Sequence, residues 1–186
     1  EGMQYEGKRF VVQARMAGKP YGGPFGVDVA FAEPMVGEPE LLAGSDFLAV
    51  ADIPAPVLRA YPLETHIAEK LHAYTMPRPR PNSRVKDLPD MALLARVRPI
   101  DALVLRHAIE QTFNHRAVHP VPETLPAPAE AWRLPYDRIA NSDRLRWPNL
   151  ESVTKAVRGF IDPVLLGHTG TWDPTGWIWT PEDSVR

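Results

Sequence analysis

Pro62-Leu63-Glu64-Thr65-His66-Ile67-Ala68-Glu69-Lys70-Leu71-His72-Ala73-Tyr74 sets Leu63, Ile67, Leu71 and Tyr74 at i, i+4, i+8 and i+11. That spacing is one face of an α-helix, with proline at its start, where the missing N–H is harmless. On a wheel of about 100° per residue, Lys70 lies about 60° from the centre of the apolar stripe. Its stem runs along apolar surface while its ammonium reaches past the rim. The same placement suits a snorkelling boundary lysine and a fixed point charge for phosphate.

Downstream, Thr75 to Asn82 carries three prolines in eight residues and cannot be helical. A second helix is predicted from near Asp87 through Leu94, with Pro89 tolerated in its first turn. A third runs from Ile100 to about Phe113, with Asp101 near its start and Leu105, Ala108, Ile109 and Thr112 facing inward. Residues 117 to 128 form a proline-rich surface crossing, and short helices follow around 129–139 and 150–161. The tail from Gly167 holds Trp172, Trp177 and Trp179. It is expected to pack on the body, since exposed tryptophans are unfavourable. Upstream, Arg9 to Met16 and Val27 to Phe31 read as neighbouring strands, 33–40 as a loop, and 47–51 with 53–58 as short edge strands.

The 186 residues suit a single domain, with 44% hydrophobic and 24% charged residues. Prolines number 21, about twice ordinary usage. No 18-residue apolar run occurs, and Glu1 to Arg9 lack the apolar stretch of a signal peptide, so a cytoplasmic protein without a membrane span is expected. The absence of cysteine excludes a disulfide framework, a thiolate nucleophile and a cysteine-based zinc site. A formal charge of -2 gives no whole-chain footprint for nucleic acid. From Arg59 to Arg116, however, ten Lys/Arg stand against six Asp/Glu, a local surplus suited to phosphates or to a solvated helix face.

Asp28, within Phe25-Gly26-Val27-Asp28-Val29-Ala30-Phe31, is an ionisable group on a strand otherwise fit for burial. It needs water, a cation or a metal, or it faces solvent. In Arg84-Val85-Lys86-Asp87-Leu88-Pro89-Asp90, Asp87 sits where a helix N-cap belongs. Asp87 and Asp90 with Arg84 and Lys86 equally offer an acid and cation set to a nucleotide. The His-Glu-x-x-His, Walker A, Gly-x-Gly-x-x-Gly and Gly-x-Ser-x-Gly motifs are all missing.

Taken together, Tyr61-Pro62-Leu63-Glu64-x-x-Ile67-Ala68-Glu69-Lys70-Leu71-His72-Ala73, a linker with Arg78 and Arg80, and Arg84-Val85-Lys86-Asp87-Leu88-x-Asp90 resemble the AbiEii/AbiGii toxin family. These are nucleotidyltransferase-like toxins of type IV toxin–antitoxin and abortive-infection systems. The resemblance covers roughly residues 8 to 165. It implies an α/β (α+β) fold, a nucleotidyltransferase-type mixed sheet with helices followed by a helical C-terminal part. On that reading residues 1–60 are the remaining sheet part, 61–116 the helical motif-bearing part, and 117–186 the crossing, the last helices and the tail.

The implied chemistry is transfer of a nucleoside monophosphate from an NTP to an acceptor, in some members the tRNA 3′ end, with Mg²⁺ as cofactor. By motif match, Lys70 binds the triphosphate and Asp87 serves in the active site, with Lys86 and Asp90 beside it. Arg84 is a further phosphate contact. Asp28 corresponds to the third carboxylate, a metal ligand or activator of the acceptor hydroxyl. The partners implied are NTP, an RNA acceptor and a co-encoded antitoxin. The family also carries an N-terminal Gly-Ser and Asp-x-Asp, and no Asp-x-Asp occurs in residues 1–28. The chain is therefore expected to be short of that core by about one strand–helix–strand unit, with Glu1 marking a truncation. A non-catalytic relative that binds nucleotide, RNA or an antitoxin is the alternative reading.

Overall fold

Residues 7–31, 34–78 and 84–181 are described by the computed structural model, and the chain divides between Pro34 and Met35 into two units. In the first unit, β1 (Gly7–Val12) is followed by a small hairpin of β2 (Arg15–Met16) and β3 (Lys19–Pro20), then by β4 (Phe25–Ala30). The expected long first strand therefore stops at Val12. Its continuation turns back at Ala17 and Gly18, both at positive φ (49° and 76°), as a two-residue hairpin of right-handed twist requires. The strands β1 and β4 pair antiparallel, from Gly7 opposite Ala30 to Val12 opposite Phe25. Gly7 is required there, because a Cβ at that position would meet the Val29 carbonyl oxygen at 2.5 Å.

The second unit opens with an antiparallel pair, β5 (Glu40–Ala43) with β6 (Val57–Ala60). The connection contains one 3₁₀ turn, Ala49–Ala51. Two expectations are corrected here: residues 47–51 form no strand, and a strand begins at Glu40, where a loop was predicted. Glu-Leu-Leu-Ala shows no period-2 alternation, and it becomes a strand because Val57–Ala60 supplies its hydrogen-bonding partner.

Helices then dominate: α1 (Leu63–Thr75), α2 (Asp87–Leu94), α3 (Ala102–Arg116), α4 (Arg133–Ser142) and α5 (Leu150–Leu165). The predicted stripe of α1 is buried as a unit, with Ile67 and Leu71 at zero exposure, and it packs against α2 and α3, while α2 packs on α5. At the start of α3, Asp101 is a true N-cap, its carboxylate accepting from the Leu103 and Val104 amides at 2.8 and 2.9 Å. Ile100–Asp101 itself is a short strand, β7, paired with β8 (Thr171–Asp173), which pairs in turn with β9 (Ile178–Thr180). The described part of the tail thus packs down, as expected. The Trp172 and Trp179 indoles are buried and donate to the Ala95 and Phe160 carbonyls. Mixed helices and small antiparallel sheets make an α/β protein. Among the described residues no helix is long and apolar enough to cross a membrane.

His72, on α1, is buried against Phe113 and His119, with ring centroids 4.9 and 4.6 Å away. Its Nε2 has no hydrogen-bond partner. Burial above all, then the neighbouring His119 and Arg116, pushes its pKa down to about 4. A histidine held neutral in the fold contributes stability above its unfolded pKa near 6.5, and that stability is lost as pH falls towards 4. His72→Phe keeps the ring packing and removes the proton uptake. Urea unfolding at several pH values should show wild type losing about 2–3 kcal/mol between pH 7 and 4 from this group, and the variant correspondingly less. Parallel loss in both proteins would rule the assignment out.

Candidate functional site

The chain enters α2 through a 3₁₀ turn, Arg84–Lys86, anchored by the buried Val85 and Leu88. The 3₁₀ turn runs straight into the helix, so Lys86 takes the N-cap position with helical backbone angles and no side-chain cap, and Asp87 is the first helical residue. The expected capping role of Asp87 is therefore corrected. Pro89 falls within the first turn, as predicted, where helices leave N–H groups unpaired in any case. Asp87 and Asp90 lie at the positive end of the α2 dipole.

This turn faces α1. Lys70 reaches across with Nζ 2.6 Å from Asp90 Oδ2 and 3.6 Å from Asp87 Oδ1. Arg84 Nη1 lies 3.7 Å from the same Asp87 oxygen. The Asp87 side chain is 3% exposed, against 25% for Lys70 and 36% for Asp90. Asp87 Oδ2 is buried without a partner. Four of the residues singled out in the sequence, Lys70, Arg84, Asp87 and Asp90, therefore converge, while Lys86 is exposed at the end of its turn. Arg78 is half-buried, and Arg80 lies outside the described residues.

A second layer escaped the sequence reading. Glu69 Oε1 accepts from the Tyr61 hydroxyl at 3.1 Å and stands 3.5 Å from Arg116 Nη2, tying α1 to α3 and to the residue before Pro62. Tyr61 and Glu69 occur in the quoted motif and Arg116 ends the basic stretch, but no spacing rule places residues 61 and 116 on one carboxylate. His66, one turn before Lys70, is held below its ordinary pKa by burial first and by the Lys70 ammonium second. It therefore adds no fixed positive charge at neutral pH.

Asp28 belongs to the first unit. There it accepts a two-pronged contact from Arg9, with Nε to Oδ1 and Nη2 to Oδ2 both 2.6 Å, on a strand whose residues are all exposed rather than buried as its apolar run suggested. The guanidinium holds its carboxyl below the usual range. Strand register explains the pairing, since Arg9 sits directly opposite Asp28.

Among the described residues no three metal-ligating side chains stand together. The gap between Asp87 and Asp90 is filled by the Lys70 ammonium, and Asp28 is engaged by Arg9. These carboxylates do not fit a metal centre as they stand. What the α1–α2 cluster offers is a pair of cations, one half-buried, held by carboxylates at a helix start. A family model described as "Nucleotidyl transferase AbiEii toxin, Type IV TA system" matches residues 1–156. No curated protein matches the chain.

Burial raises the Asp87 pKa above its ordinary value, and the Asp90 charge adds to this, against the lowering effect of Arg84 and Lys70. For a carboxyl raised in the fold, the stability contribution is complete below its unfolded pKa and is lost as pH rises through the folded one. Asp87→Asn removes that loss, while Lys70 keeps Asp90 and the partly exposed Arg84 keeps its access to water. Paired urea titrations should show the variant gaining on wild type as pH rises from 4 to 7, by about 1 kcal/mol at neutrality. A variant less stable than wild type at pH 7 would show the carboxylate to be net stabilising.

Proposed function

The chain belongs to the AbiEii family of nucleotidyltransferase toxins of type IV toxin–antitoxin systems, and from that premise we propose that it transfers a nucleoside monophosphate from an NTP to an RNA acceptor, the tRNA 3′ end being the expected class. The observation that carries this reading is the convergence of Lys70, Arg84, Asp87 and Asp90 at one helix start. Nucleotidyl transfer forms a bond from an acceptor hydroxyl oxygen to the α-phosphorus and breaks the α–β bridge, releasing pyrophosphate. Negative charge grows on the leaving pyrophosphate, so the protein's task is to hold cations where that charge develops.

In this reading Lys70 and Arg84 hold the triphosphate, and Lys86, exposed beside them, adds long-range attraction. Asp87 fixes both cations from beneath, being buried and in range of each. The resemblance implies for Asp28 the role of third carboxylate, a metal ligand or an activator of the acceptor hydroxyl, which it takes up only on leaving Arg9. Mg²⁺ is the cofactor that the family's chemistry implies, although the described carboxylates do not fit it as they stand. A co-encoded antitoxin is the functional counterpart.

The assay incubates the protein with Mg²⁺, each labelled NTP in turn and a tRNA pool. We expect label on tRNA from at least one NTP, and a loss of about 100-fold or more with Lys70→Ala. Expression should arrest growth, with arrest relieved by the antitoxin and absent in the variant. Absence of transfer with every NTP, together with undiminished toxicity in Lys70→Ala, overturns the proposal. Saturable NTP binding by calorimetry without transfer would instead make the chain a binding relative.

A further inference from the structure

Formal charges at the α1–α2 cluster cancel: Lys70 and Arg84 stand against Asp87 and Asp90. A polyphosphate approaching this site meets no net attraction from these four side chains while they keep their contacts. The two carboxylates differ in how they can respond. Asp87 is 3% exposed and sits on the first helical residue beneath both cations, so it has nowhere to go. Asp90, at 36% exposure, is one turn further along the helix face and borders water. It makes the shortest contact to Lys70, 2.6 Å against 3.6 Å for Asp87.

We propose that Asp90 is a positioning residue that acts as an electrostatic gate on Lys70: it holds the ammonium in a self-neutralised pair and must give it up when a polyphosphate binds. The inference rests on the phosphate-binding reading of Lys70 given above. In the gated state the ammonium is held at the site, so little side-chain entropy remains to be lost on binding. On binding, phosphate oxygens replace Asp90 Oδ2 on the same Nζ, and Asp90 turns to water at small cost because it is already partly solvated. Asp87 stays, keeping Lys70 and Arg84 from repelling each other. Asp90 therefore opposes phosphate occupancy, which reverses the expectation that it belongs among the nucleotide contacts.

The test measures binding of inorganic tripolyphosphate by calorimetry to wild type, Asp90→Asn, Lys70→Ala and the double variant, with circular dichroism confirming the fold of each. Asp90→Ser serves as a second removal should the amide hold Lys70 in the same way. The gate predicts that Asp90→Asn binds about five- to tenfold tighter than wild type. It also predicts that this gain disappears in the Lys70→Ala background, as a coupled pair requires. An equal gain in both backgrounds would mean a general field effect and would overturn the gate. Unchanged or weaker binding by both Asp90 variants, with wild type binding, overturns it as well and leaves the phosphate site standing. Failure of every form to bind tripolyphosphate removes the phosphate reading itself, and the gate with it.

Discussion

The contact among α1, α2 and α3 decides where every charged side chain of the site can reach. Ile67, Leu71, Leu88 and Leu105 have no exposed surface. Each fully buried aliphatic side chain contributes about 1.5–3 kcal/mol relative to exposure. Sliding α1 against α2 would break that packing, and interiors at native density tolerate little displacement. The distances from Lys70 to Asp87 and Asp90 therefore follow from apolar packing, and the ion pairs form within a frame they do not create. A partly exposed pair such as Lys70 with Asp90 is worth at most about 1 kcal/mol, too little to set the position of a helix.

Within that frame, burial gives the two aspartates different properties. They are three residues apart on one helix, carry the same charge and face the same lysine. Desolvation acts on Asp87 strongly enough to raise its pKa despite two cations nearby. Asp90 keeps its access to water. One carboxylate becomes part of the foundation and the other stays free to exchange partners. The Glu69 contacts to Tyr61 and Arg116 work at the same junction, bracing the turn of α1 that carries Lys70 against α3.

Much of this was legible from periodicity and end signals. The 3.6-residue spacing of Leu63, Ile67, Leu71 and Tyr74 located α1, and Asp101 announced the start of α3. The crowded tryptophans of the tail indicated packing, and Trp172, Trp177 and Trp179 all donate indole hydrogen bonds into the body. Other features depended on partners distant in sequence. The strand Glu40–Ala43 has no pattern of its own and exists through Val57–Ala60. Asp87 has the chemistry of a cap, yet the 3₁₀ turn before it puts Lys86 at the cap position and Asp87 inside the helix. Local propensity favours the cap, and tertiary packing of Val85 and Leu88 overrides it.

The sequence by itself determined that Lys70 rides the edge of an apolar helix face, and that an acidic helix start with Arg84 and Lys86 follows a proline-rich break. Both are local matters, governed by turn geometry, side-chain branching and the missing N–H of proline. Only the tertiary structure decided that the Lys70 ammonium lands on Asp90, that Asp87 is sealed from water beneath Lys70 and Arg84, and that Arg9 takes Asp28. Those outcomes depend on which surfaces exclude water and which strands come into register. Burial and register are set by contacts between segments far apart in the chain, so no window of sequence contains them.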